Sequence, residues 1–500
     1  MRDRVRHLSK GVAIYGAGDA AVHVVNFLML PVYVKGGFLR QEDYGAVGIL
    51  LSIEAIVKVI SRWGLDGAFM RLYHDHAATG TLARLASTLV WFILAVDLVV
   101  IGAALALSGW MGARLFDGAA YLPALRLMLV NVLLLSVTFV PFHLMRIRNE
   151  AVTYSALVFA RSVGTLILRI VFVIGLNWGV TGLYFSDVVM TIALLPILWR
   201  WFQPVLGALF SPADLRSALR FGLPRVPHGV AQQALEAGNK LLLQRYIPLR
   251  ELGVYQNGVT LGTGVRFFTS AFETAWAPFY YETARQPDAH TVFRRMTTYG
   301  VAVLTLLAAV TTAVSYDVIL LMLGSDWLGA TRVIPFIAIG LAAQGVYLLT
   351  SIGLNLTKRT EFYPVATFAA LGVGIGLGFW LMPRYGTVGA AIAFMLAYVT
   401  QTVVAFLLSQ RVYPIEYEIG RLIRVVAAGI LAGLAGSWVM PAVHPLMGLV
   451  LRAALACAVY GAVLAATGFF RAGERAFARE MIDRLRRRRP APPGDLDAAK

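Results

Sequence analysis

Residues 44–62 read YGAVGILLSIEAIVKVISR. The run is long enough to cross a bilayer core, which takes about 20 apolar residues. Yet it carries Glu54, Lys58 and Arg62 at i, i+4 and i+8. That spacing lines one helix face, where neighbouring opposite charges pair. A charge near the bilayer centre costs roughly 2.5–3.5 kcal/mol on insertion scales. Such a helix turns its charged face toward other helices or a water-filled cavity. About fourteen stretches of spanning length make up the chain. Most of their internal charges fall in the first, second, seventh and eighth. A polar centre built from two related halves is the expected architecture.

Composition agrees with a membrane solvent. Of 500 residues, 58% are hydrophobic and 14% charged, against about 25% charged in a soluble domain. Mean hydropathy is +0.70. No interval between apolar stretches reaches the roughly 50 residues a folded soluble domain needs. Cys457 is the single cysteine, so no intrachain disulfide is expected. The basic stretch Met1 to Lys10 leads into a full-length span without a small-residue cleavage site. It reads as a retained first helix rather than a signal peptide.

The net charge of +17 is distributed by side. Every second loop is basic, as in Arg71 and Arg84, Arg146 and Arg148, Arg216 and Arg220, Arg294 and Arg295, and Arg421 and Arg424. Loops between them carry few cations, such as Lys35, Arg40, Arg114, Arg250 and Arg384. About 30 of the 44 Lys and Arg lie on one face, which the positive-inside rule assigns to the cytoplasm. Both termini are then expected inside, in a multi-pass protein of the bacterial inner membrane, and no nucleic-acid partner is expected.

The expected fold is an all-α polytopic membrane protein of about 14 transmembrane helices, two six-helix bundles plus two C-terminal helices. The bundles are placed at 1–200 and 219–410, joined by a cytoplasmic linker at 201–218. An additional helix pair occupies 411–470 and a basic tail 471–500. The tail interleaves Phe477, Met481, Ile482 and Leu485 with arginines, the pattern of an interfacial helix on anionic lipid. A weak repeat supports the two halves: Tyr44-Gly45 to Lys58 aligns with Leu252-Gly253 to Arg266. Lys58 and Arg266 are then equivalent cations.

The second span's charges recur elsewhere. Glu236 and Lys240 repeat the i, i+4 spacing in the seventh span, Arg266 and Glu273 lie two turns apart in the eighth, and Asp19 and His23 are i, i+4 in the first. Cations there suit an anionic substrate, giving Lys58, Arg62, Lys240 and Arg266 as candidate binding residues. Asp19, Glu54, Glu236 and Glu273 are candidate acids for ion coupling or charge pairing. The blander reading is that these groups neutralise one another. Arg169 and Asp187 are expected to form a structural pair, and Asp97 is either a lone proton site or a partner for an arginine.

Other motifs carry no chemistry. Gly16-Ala17-Gly18-Asp19 mimics a dinucleotide turn but lies in an apolar helix with no strand before it. His74-Asp75-His76 is expected in a solvated loop without further metal ligands nearby. Gly372, Gly374, Gly376, Gly378, Gly429 and Gly433 read as small-residue packing faces. No cofactor or metal is expected.

Three stretches carry a family resemblance. They are Leu30-Pro31-Val32-Tyr33 through Glu42-Asp43-Tyr44-Gly45, Arg62-Trp63-Gly64-Leu65-Asp66 through Met70-Arg71-Leu72-Tyr73, and Pro383-Arg384-Tyr385-Gly386-Thr387-Val388-Gly389-Ala390-Ala391. The chain resembles the polysaccharide exporter and O-antigen flippase family of the multidrug/oligosaccharidyl-lipid/polysaccharide exporter superfamily. The resemblance implies a flippase for polyprenyl-diphosphate-linked oligosaccharide, serving cell-surface polysaccharide or lipopolysaccharide biosynthesis beside other assembly membrane proteins. It also implies a cavity lined by the first, second, seventh and eighth helices. The lipid II flippase branch is similar in layout, without a match here to its arginine-rich N-terminal pattern.

The alternatives are a proton- or sodium-coupled multidrug exporter and a membrane-embedded enzyme. The first is disfavoured because cations beside the acids repel a cationic drug. The second usually presents a large external catalytic loop, which this chain lacks.

Overall fold

The computed structural model describes residues 27, 29–116, 118–148, 150–207, 209–437 and 443–471. Asp19, His23 and the basic tail beyond Arg471 lie outside them. Among the described residues, every extended element is a helix. Nine of these helices are long and apolar enough to cross a membrane, or ten if the bent pair Leu122–Ser136 and Phe139–Ile147 is one span. The architecture is an all-α polytopic membrane fold. The count of fourteen is not reached by this measure.

The first half contains α1 (Gln41–Arg62), α2 (Leu65–Ala78), α3 (Leu82–Ala106), α4 (Leu122–Ser136), α5 (Phe139–Ile147), α6 (Ala151–Arg169) and α7 (Gly179–Phe202). α4 packs on α7 and α3, and α6 on α7. A linker helix α8 (Pro212–Gly222) leads to α9 (Val226–Leu243), α10 (Leu249–Gly262), α11 (Gly264–Thr283), α12 (Ala289–Met322), α13 (Ile334–Thr350) and α14 (Phe362–Val412). α14 packs on α13 and α9, and α12 on α13. The last pair, α15 (Ile419–Ser437) and α16 (Pro445–Ala466), packs together and against α12. α9, α10 and α11 are not among the nine because they are too short or too polar. Of these, α9 carries Glu236 and Lys240, and α11 carries Arg266 and Glu273.

Breaks follow local chemistry. α1 starts with Glu42 and Asp43 in its first turn, favourable to the helix dipole. It stops where Trp63 and Gly64 adopt φ of 49° and 69°. α14 is two helices joined end to end through Gly386, at φ 52° and ψ −125°. Only glycine adopts that conformation readily. Gly386→Ala is therefore expected to cost about 1–3 kcal/mol. Gly376→Ala, where nothing lies within 4 Å of an added Cβ, should be neutral or stabilising. Thermal unfolding of both variants in one detergent checks this, and equal midpoints would refute it.

The apolar faces turned outward, such as Leu98 and Val99 at 70% and 71% exposure, are suited to lipid. The glycine stripe on α14 divides by packing. Gly374 and Gly378 meet Ala397 and Leu242, while nothing lies within 4 Å of a Cβ at Gly372 or Gly376. Gly429 and Gly433 of α15 sit on Thr305 and Ala309 of α12. His74, Asp75 and His76 belong to α2 rather than to a loop, because the helix continues past the membrane-facing segment.

Two buried ion clusters fasten the last helix pair to α12. Arg452 of α16 lies 3.0 Å from Asp317, the side chains being 5% and 2% exposed. Gly448 leaves room for that carboxylate. At the opposite end Glu418 meets Arg421 at 2.8 Å, Arg294 of α12 at 4.0 Å, and Arg471. Thr298 donates to the same carboxylate at 3.0 Å.

Candidate substrate-binding site

α1 presents its charged face as the spacing predicts. Lys58 donates to Glu54 at 2.5 Å, one helical turn apart. Arg62 reaches across the Trp63–Gly64 break to Asp66 of α2 at 3.1 Å. In the second half the spacing misleads. Glu236 of α9 pairs with Arg266 of α11 instead of Lys240 on its own helix. The cross-helix partner wins because a neighbouring helix brings the guanidinium to the carboxylate, while i, i+4 geometry only permits contact. Lys240 has no hydrogen bond or ion pair among the described residues. Glu273 is exposed and forms no ion pair with Arg266.

A second group in the first half completes the polar interior. Arg169 of α6 donates to Asp187 of α7 at 3.1 and 3.2 Å, the expected structural pair. Tyr33 lies within electrostatic reach of both. Arg161, two turns before Arg169, lies within reach of Glu54, Asp187 and Arg169. It makes no hydrogen bond or ion pair among the described residues. Charge spacing along the sequence did not single out Arg161, although a cation in the middle of an apolar helix is itself a signal.

Amides fill the corresponding region of the second half. Asn239 donates to Tyr255 at 2.9 Å and to the Ala390 carbonyl at 2.8 Å. Gln401 donates to Gln232 and Thr367 at 3.1 Å each. Asp97 of α3 is fully buried, with neither carboxylate oxygen hydrogen-bonded. Its polar surroundings are Ser61, Ser136 and the Arg62 charge. A largely apolar cavity of about 530 Å³ among α12, α13, α14 and α15, lined by residues such as Thr305, Ala342 and Gly429, lies apart from all these charges.

The two halves meet through the repeated segment. A Cβ on Gly45 would fall on the Leu249 carbonyl, and one on Gly253 on the Gln41 carbonyl. Under the repeat alignment Gln41 corresponds to Leu249 and Gly45 to Gly253, so the contact is reciprocal, as at a two-fold interface. Arg250 donates to Gln41 at 2.6 Å, and Gln41 to the Asp326 carbonyl at 2.8 Å. Gln41, Arg250 and Asp326 all flank the cation-poor loops. α1 and α10 thus meet backbone to backbone near those loops. Near the other end Gly229 of α9 faces Val59.

Known proteins share this fold. A family model described as "Polysaccharide biosynthesis protein" matches residues 37–332. The solved structure described as "Lipid II flippase MurJ, inward closed conformation" superposes with a TM-score of 0.69 at 12% identity, covering 94% of this chain and 100% of that one. A mutant form of the Vibrio cholerae MATE transporter VcmN gives 0.59 at 14% identity, covering 81% and 96%. An inward-facing multidrug resistance MATE family transporter of the MOP superfamily gives 0.57 at 15%, covering 80% and 96%. At these identities the likeness concerns the fold. No curated protein matches in sequence.

Proposed function

Since the chain belongs to the polysaccharide biosynthesis protein family, we propose that it is a flippase of the MOP superfamily whose cargo is a polyprenyl-diphosphate-linked oligosaccharide. It is moved from the cytoplasmic to the outer leaflet of the bacterial inner membrane for cell-surface polysaccharide assembly, of the O-antigen and lipopolysaccharide kind. The observation that carries this reading is the presence in the polar interior of two cations without an ion-pair partner. Among the described residues, Arg161 and Lys240 stand without partners beside the Glu54–Lys58, Asp66–Arg62 and Glu236–Arg266 pairs. Among the described candidate acids, those without an ion-pair partner are Asp97, fully buried near Ser61, Ser136 and the Arg62 charge, and exposed Glu273; a cationic drug entering beside Arg161 or Lys240 would meet an unpaired like charge.

Lys58, Arg62, Lys240 and Arg266 are the proposed substrate cations, with Arg161 added to them. A diphosphate offers more acceptor oxygens and more charge than one carboxylate, and charge-assisted bonds to it are strong. It would displace Glu54 from Lys58 and Glu236 from Arg266. The released acids are then the groups on which a coupling ion acts. Rocking of the halves, with the α1–α10 contact opening and closing one face, exposes the site alternately to each side. The prenyl tail stays in the bilayer while the sugar crosses the polar interior.

Transbilayer movement of a polyprenyl-diphosphate oligosaccharide in proteoliposomes tests the reading. Lys58→Ala and Arg266→Ala are each expected to slow it roughly tenfold or more, the equivalent of about 1.5–3 kcal/mol per lost charged hydrogen bond. Lys240→Gln and Arg161→Gln should do the same without disturbing an ion pair, leaving thermal stability unchanged. Movement that survives all four substitutions would reduce the charges to a structural role. No movement of this cargo, with drug efflux instead, would overturn the assignment.

A further inference from the structure

The linker helix α8 is built to lie on a surface. Ser211 caps it, accepting from the Asp214 amide at 3.2 Å, and Pro212 opens its first turn. Its inward face, Asp214, Ala218 and Gly222, is buried against α2 and α3. Arg84 of α3 holds Asp214 at 2.8 Å, so the carboxylate of α8 is already neutralised. Gly222 meets the backbone of Gly64 with no room for a Cβ on either side. The Phe221 ring lies between the guanidinium groups of Arg71 at 4.7 Å and Arg225 at 4.2 Å. One aromatic ring thereby ties α2 of the first half to the entry of α9 in the second.

The outward face is not covered by any of the described residues. Leu209, Phe210 and Leu223 are 55%, 51% and 47% exposed. Arg216 and Arg220, one turn apart, are exposed beside them and make no ion pair or hydrogen bond among the described residues. Leu215, Arg216, Leu219, Arg220 and Leu223 line an open groove of about 730 Å³. On a helical wheel the leucines form a strip directly beside the two arginines. Apolar strip, adjoining cations and a carboxylate already paired match a bilayer interface in both hydropathy and charge.

We propose that α8 binds anionic lipid of the leaflet on the basic face, with the headgroup phosphate held by Arg216 and Arg220 and the acyl region reached by Leu209, Phe210 and Leu223. Because α8 is the joint between the halves, lipid bound there fixes the point about which they move. The site is independent of the cargo, so it stands or falls separately from the flippase assignment.

Native mass spectrometry of the full chain, delipidated in detergent and titrated with phosphatidylglycerol or phosphatidylcholine, tests the proposal. Wild type is expected to retain phosphatidylglycerol preferentially. Arg216→Gln with Arg220→Gln should weaken retention on the order of 25-fold, about fivefold per arginine, from roughly 1 kcal/mol each. Arg411→Gln with Arg424→Gln, on the same face but away from α8, should not. Leu223→Ser should weaken both lipids and keep the headgroup preference. Retention unchanged in the α8 pair, or equally reduced in the control pair, overturns the site. Displacement of phosphatidylglycerol by soluble glycerol phosphate at comparable concentration would assign the arginines to a free phosphate and overturn the lipid assignment.

Discussion

Gly253→Leu is expected to reduce transport by about fivefold or more while the protein still inserts in the membrane. At this position an added Cβ coincides with the Gln41 carbonyl and approaches the Gly45 nitrogen at 3.0 Å. Both obstacles are backbone, so no side-chain rotation relieves them. Overpacking of this kind costs typically 1–3 kcal/mol and is relieved only by moving the helices apart. Each 1.4 kcal/mol shifts the closed–open balance about tenfold. The cost falls on the conformation closed by α1 and α10 and not on one in which they have separated. Gly45→Leu should behave alike, since its Cβ meets the Leu249 carbonyl. Gly376→Leu is the control. Measured initial rates of cargo movement, with surface labelling of a cysteine introduced at Gln41, check both parts. A Gly253→Leu variant that transports at the wild-type rate, with Gln41→Cys still shielded, would show that the contact does not gate the interior.

Asp317→Ala is expected to destabilise the protein by about 3–5 kcal/mol, because it strands Arg452 as a buried, uncompensated charge. Arg452 also lies over the Tyr316 ring at 5.0 Å, an attraction too small to replace a carboxylate in such a setting. Asp317→Leu combined with Arg452→Met should recover most of the loss, since apolar replacement of a whole buried pair is often neutral or better. Thermal midpoints of the single and double variants give the answer. A single variant as stable as wild type would mean that Arg452 reaches water or lipid headgroups once released.

Length and hydropathy of the apolar runs made the all-α membrane class legible. The less apolar helices α9 and α11 were still legible as internal because their charges recur at helical spacing. The Gly45 and Gly253 repeat was visible as a thin similarity. Its meaning was not, since only a three-dimensional crossing shows that each glycine stands where the other half's backbone passes. The linker looked like a loop because its apolar content is modest. Ser211, Pro212 and Asp214 form an N-terminal capping pattern that marks a helix there.

The amino-acid sequence by itself determined the solvent, the helical class and the family, because burial of backbone polar groups in lipid permits few solutions and leaves strong hydropathy signals. The tertiary structure alone decided the pairing of the charges. Glu236 lies one turn from Lys240 in sequence yet binds Arg266. Arg161 stands unpaired among the described residues, beside a bonded Arg169–Asp187 pair. Coulomb attraction falls with distance and dielectric, and both are set by which helices pack together, so spacing along one helix cannot choose among partners on several.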